Sequence, residues 1–95
     1  SDAYPADGSL YYELGRIYAE AEDYTRAIPQ FMAAITVEPW YVEAYLALGD
    51  AYLGEGYSGQ ARETYVEGLE VTRRERKPSE FTPQFQQRIE SLERR

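Results

Sequence analysis

The sequence predicts an all-α fold, an antiparallel helix-hairpin solenoid of five helices with no strand. Three observations carry this. Tyr11, Leu14, Gly15, Tyr18 and Ala27 return 34 residues later as Tyr45, Leu48, Gly49, Tyr52 and Ala61, and the aromatic Phe31 returns as Tyr65. Within each copy the apolar residues fall three and four apart, the period of an amphipathic helix. The last stretch leaves the repeat but keeps that helical period, so it reads as a helix of a different kind, closing the stack.

In chain order, residues 1–8 (SDAYPADG) are rich in turn residues and read as a tail or as the end of a preceding repeat, because Pro5 is in phase with Pro39. The first helix is expected from about Ser9 to Glu22, capped by Asp7 or Ser9, with Tyr11, Leu14 and Tyr18 as its inward stripe. The second is expected from about Thr25 to Glu38, with Asp23 or Thr25 near its start and Ala27, Ile28, Phe31, Ala34 and Ile35 facing the first. Gly15, Ala27 and Ala34 let the two backbones approach while aromatic rings fill the flanks. Pro29 falls past the first turn, where it removes a hydrogen bond and should bend the helix slightly. Pro39 disfavours helical geometry at Glu38 and so sets the turn between repeats at Pro39 and Trp40, with Trp40 expected to pack over it.

The third helix is expected from Tyr41 to Gly54. The glycine-punctuated turn GEGYSG follows, and it should pack differently from the first turn because Ser58, not Tyr57, is the counterpart of Tyr24. The fourth helix starts at Ser58 or Gly59, carries Ala61, Tyr65, Gly68, Leu69 and Thr72 on one face, and runs through RRERK to Pro78. Gly68 costs up to about 1 kcal/mol in helix propensity, which close packing would justify. In the last helix Thr82 is expected to cap, Pro83 to take the first helical position, and Phe85, Ile89 and Leu92 to form the buried stripe.

Residues 5–38 align with 39–72 through seven identities, the five above with Pro5/Pro39 and Val37/Val71. The pattern aromatic-x-x-Leu-Gly-x-x-Tyr, then Ala, an aromatic, a small residue and Pro, resembles the tetratricopeptide repeat (TPR) over roughly residues 5–76. The resemblance implies a first TPR at 9–38, a second at 39–76 and a capping helix at 79–95, stacked with a right-handed twist. It also implies a non-catalytic scaffold that holds a partner's peptide segment in a concave groove lined by the first helix of each repeat. The residues it assigns to that groove are Ser9, Tyr12, Arg16, Ala19, Glu20, Glu43, Leu46, Asp50 and Leu53.

The residues support a second face independently. Tyr12, Arg16 and Ala19 lie at i, i+4 and i+7, turned about 100° from the core stripe, and Leu46, Asp50 and Leu53 are their counterparts. The competing reading is that Tyr12 packs on Leu46 while Arg16 and Asp50 form a surface ion pair. The TPR clamp for a chaperone's C-terminal carboxylate needs Lys and Asn on this face. Arg16 is the one cation among the nine, which argues against that role.

Composition narrows the function further. The 95 residues include no Cys and no His, which removes disulfides, thiolate chemistry and the commonest metal ligand and general base. No nucleotide loop, nucleophile elbow or zinc or calcium spacing occurs, so no enzyme, cofactor or metal is expected. Residues 1–70 hold thirteen Asp/Glu against three Arg, a net of −10, while residues 71–95 hold four Glu against seven Arg/Lys, a net of +3. An acidic body repels nucleic acid and favours a partner segment carrying Lys or Arg among apolar residues. Nine Arg against one Lys amid excess acid fits adaptation to high salt, although a GC-rich genome also favours Arg over Lys. No membrane span or signal peptide is read in the chain, and a cytoplasmic location is expected. The alternative functions are a purely structural segment of a longer array and self-association, in which two copies meet through the open end near Leu10, Ile17, Ala21, Ile28 and Met32 or through the groove.

Overall fold

The computed structural model describes residues 7–76 and 80–94. They form α1 (Gly8–Glu20), α2 (Tyr24–Val37), α3 (Val42–Gly54), α4 (Ser58–Glu75) and α5 (Phe81–Glu93), with no strand among the described residues. Each helix packs mainly on its neighbours in the chain, α1 on α2, α2 on α3, α3 on α4 and α4 on α5. The extents are 43 × 31 × 18 Å, a slab about two helices thick.

Local chemistry sets the boundaries. Asp7 caps α1 by accepting from the Ser9 N–H, and Asp23 caps α2 by accepting from Arg26 N–H. A Glu38 carboxylate oxygen at the far end of the hairpin accepts from Gly8 N–H at 2.8 Å, so the first hairpin is tied at its open end. α2 runs on through Pro29. Its last turn gives way at Glu38, which takes extended geometry (φ −134°, ψ 85°) as a residue before proline must.

The two intra-repeat turns share one backbone despite different sequences. Asp23 N–H donates to Tyr18 O and Glu22 N–H to Ala19 O; Tyr57 N–H donates to Tyr52 O and Gly56 N–H to Leu53 O. Both are Schellman closures, with left-handed residues at Glu22 (φ 60°) and Gly56 (φ 85°). The expected difference lies in the side chains. Tyr24 lays its ring on Gly54, whereas Tyr57 is exposed beside Tyr52, ring centroids 6.4 Å apart.

Two apolar clusters hold the stack. One joins Ala27, Phe31, Leu48 and Ala51; the other, larger one joins Val42, Tyr45, Leu46, Ala61, Tyr65, Val71 and Phe85. Glycines admit the rings: a Cβ at Gly15 would stand 2.5 Å from Phe31, one at Gly49 would overlap Tyr65, and one at Gly68 would overlap Phe85. Gly68 is therefore kept for close packing, as its cost in propensity implied.

Several expectations need correction. Leu14 is 39 % exposed and Tyr11 is half-buried, although their counterparts Leu48 and Tyr45 are buried; Tyr18 and its counterpart Tyr52 are both half-buried. What covers the third helix is α2 of the preceding hairpin, and among the described residues no such layer lies over α1. Trp40 does not pack over its turn but stands 48 % exposed. α4 ends at Glu75, with Arg76 left-handed (φ 53°), rather than running on; Pro5 and Pro78 lie outside the described residues. Thr82 is not the cap of α5, which starts at Phe81 after Glu80 without a side-chain cap. Pro83 is thus the third residue, still in the first turn, where no backbone donor is missed. Phe85 is fully buried, and Ile89 and Leu92 pack beside it, as the stripe predicted.

Candidate functional site

A cleft of about 290 Å³ opens where α1, α2 and α3 converge. From α1 come Tyr12, Arg16, Ala19 and Glu20, from α2 Tyr24 and Phe31, and from α3 Ala47, Asp50 and Ala51. Three alanines keep the site open, since larger residues there would fill it. The rings of Tyr12 and Phe31 meet at a centroid distance of 6.0 Å, and Tyr12 also packs on Tyr41 at 5.1 Å.

Five of the nine expected groove residues, Tyr12, Arg16, Ala19, Glu20 and Asp50, meet in this cleft. Ser9 and Glu43 line a second cleft of about 330 Å³ with Asp7, Glu38, Trp40 and Tyr41, whose ring packs on the Tyr12 ring of the first. Leu46 and Leu53 line neither. Leu46 is 8 % exposed in the core with Phe85, and Leu53 packs against the same cluster, so α5 covers the part of α3 that the sequence pattern left open.

The charges pair differently from the Arg16–Asp50 contact considered above. Arg16 lies 3.7 Å from Glu13 and 3.6 Å from Glu20 along its own helix, with its guanidinium 5.8 Å from the Tyr12 ring centroid. Asp50 is instead gripped by Arg88 of α5, Nε to Oδ1 at 2.8 Å and Nη2 to Oδ2 at 3.2 Å, while the Tyr65 hydroxyl donates to Oδ1 at 2.5 Å. Burial, then the bond to Asp50, holds the Tyr65 phenol well above its usual range. Arg88's own bond to Asp50 raises the guanidinium as well. Tyr41 is pushed up to about 12, mainly by burial and next by Glu43, and Tyr12 is raised mainly by burial.

Helical period does not single out Arg88, because it assigns α5 only to covering the stack. A signal existed: Asp50 is the single acid in the apolar run YLALGDAYLG, and Arg88 adjoins the buried stripe of the last helix. Phe31 was assigned only to the core, and Tyr24, Ala47 and Ala51 were not placed in the cleft at all. Their exposure depends on how the hairpins stack rather than on helical period.

Two sequence profiles match the chain, one described as TPR repeat over residues 15–56 and one as tetratricopeptide repeat over residues 42–74. The chain belongs to the tetratricopeptide repeat family. Its fold is similar to that of a tetratricopeptide repeat domain protein from Salinibacter ruber, in the crystal (26 % identity, 92 % of this chain and 96 % of that one, TM-score 0.83) and in solution (27 %, 95 % and 90 %, 0.83). It is also similar to a protein of Bordetella parapertussis solved in solution, at 30 % identity over 93 % of this chain and 76 % of that one, with a TM-score of 0.82. No curated protein matches the chain. TPR domains typically bind protein partners, and the cleft lies where α1 and α3, the first helices of the two repeats, meet. No helix of the described residues is long and apolar enough to cross a membrane.

Proposed function

We propose that this TPR domain is a non-catalytic scaffold module that holds an extended segment of a protein partner in the cleft between α1 and α3. The observation that supports it most is the cleft's own make-up, an alanine floor (Ala19, Ala47, Ala51) between aromatic walls (Tyr12, Tyr24, Phe31) with Arg16, Glu20 and Asp50 at its rim. Small floor residues admit a side chain, rings give it apolar contact, and rim charges fix its direction. Burial of one aliphatic side chain of the partner would contribute about 1.5–3 kcal/mol before the cost of ordering the segment.

The experiment is a peptide-array screen of the wild-type domain against Ala19→Arg, which fills the cleft with a residue that helices tolerate. Peptides captured by the wild type should bind the variant roughly tenfold or more weakly, a loss of at least about 1.4 kcal/mol. Unchanged capture, with helicity intact by circular dichroism, would remove the cleft as the binding site.

A further inference from the structure

Beyond the alanine-floored cleft, Trp40 remains without an explanation. It is the chain's single tryptophan and one of its most exposed large apolar residues, at 48 %, in the turn that joins the two repeats. Beside it the half-buried Tyr41 packs on Tyr12, the ring that also walls the first cleft, so one aromatic contact joins the two openings. Around Trp40 stand Asp7, Glu38 and Glu43. Asp7 caps α1 and Glu38 accepts from Gly8 N–H, so both carboxylates are held in place; Glu43 makes no ion pair among the described residues.

An exposed indole in a cleft lined by carboxylates is complementary to one kind of side chain. A guanidinium or ammonium is attracted by the ring quadrupole and by the acids together, and its aliphatic stem covers the apolar ring. An acidic partner is repelled, and a purely apolar one leaves three anions poorly solvated. Beside Trp40, burial first and Glu43 next raise the Tyr41 phenol, with smaller contributions from Tyr12, Glu13 and Glu38.

We propose that the groove has two anchors, and that the second cleft takes an Arg or Lys side chain of the same partner segment whose apolar residue enters the first. This rests on the groove reading above and gives it a specificity: a segment with an aliphatic residue and a cation, read in the two clefts that the Tyr12–Tyr41 contact joins.

The test uses acetylated, amidated peptides built on alanine that carry one leucine and one arginine, the spacer between them lengthened residue by residue, and a matched set with neutral citrulline in place of arginine. Trp40 is its own reporter, through its indole N–H resonance, and the amides of Ala47 and Ala51 report on the first cleft. At the best spacing the arginine peptide should move both sets of signals, and citrulline should leave Trp40 still while Ala47 and Ala51 respond. Glu43→Gln and Trp40→Ala should each weaken the arginine peptide roughly three- to tenfold, the scale of a partly exposed cation–π and ion-pair contact, and leave the citrulline peptide unchanged. Equal Trp40 responses to arginine and citrulline, or none, with Ala47 and Ala51 shifting would overturn the second anchor and keep the groove. Silence at Ala47 and Ala51 with an arginine-specific Trp40 shift would overturn the groove and keep the cation site; silence at both would overturn both.

Discussion

Glu22 occupies a left-handed position that its counterpart in the second repeat fills with Gly56, at φ 60° and 85°. The bond pattern around both is the same, so the difference is the cost of a side chain in that region, and Glu22→Gly should raise stability by about 0.5–1 kcal/mol, read as a higher midpoint in urea. Gly15 presents the opposite case. A Cβ there meets the face of Phe31, and Gly15→Leu should lower stability by about 1–3 kcal/mol as the hairpin is forced apart. Tyrosines make the fold sensitive to alkali. Tyr12, Tyr41, Tyr45 and Tyr65 all have phenols raised chiefly by burial, Tyr41 to about 12. A phenol that ionises later in the fold than in the unfolded chain stabilises fully below the unfolded value near 10, and that contribution is lost as pH climbs toward the folded value. Melting temperature should therefore fall steadily above about pH 10, and Tyr65→Phe should make the fall shallower; a flat profile to pH 11.5 would contradict this.

At the scale of elements, α5 is both lid and clasp. Phe85 fills the space that Gly68 leaves against Tyr45, and Phe85→Ala should cost about 3–5 kcal/mol, a large part of what a domain of this size has. The Arg88–Asp50 pair is half in solvent, so a double-mutant cycle should give a coupling of only about 1 kcal/mol, weakened by salt. The five helices were legible in the sequence because the 34-residue repeat states each core position twice, and the capping stripe at Phe85, Ile89 and Leu92 because helical period alone identifies it. Helix ends were less so. Thr82 looks like a cap, yet Phe81 gains more by joining the helix and packing on the core than Thr82 gains by one hydrogen bond. Of the residues expected to line a groove, helical period suffices to bring Tyr12, Arg16 and Ala19 of α1 and Asp50 of α3 to one cleft. Leu46 and Leu53 share that period on α3 but pack in the cluster that includes Phe85 of α5, which only the stacking of the helices reveals.

For the molecule as a whole, the two ends are unlike. α5 seals one, while Leu10, Leu14 and Ile17 of α1 stay exposed at the other, at 59, 39 and 63 %; Met32, expected there too, instead lies beside Tyr52 of α3, whose hydroxyl donates to its sulfur. Two copies should meet through this face, with mass rising toward that of a dimer as concentration and salt increase and the net charge of −7 is screened. Ile17→Glu should return the mass to one chain without loss of helicity, and a single-chain mass across the whole dilution series would exclude the dimer. The unequal clusters carry a further consequence. Tyr65, Phe85, Tyr45, Leu46, Val42 and Val71 gather most of the large buried side chains around α3, α4 and α5, while the cluster that ties α2 to α3 rests on Phe31, Leu48 and two alanines. Hydrogen exchange should therefore run in two tiers, amides of α1 and α2 trading their protons through a local opening that leaves α4 protected. Each such opening takes Tyr12, Ala19 and Phe31 away from Ala47 and Ala51, so a segment held between the two repeats would slow the exchange of the first hairpin more than that of the second.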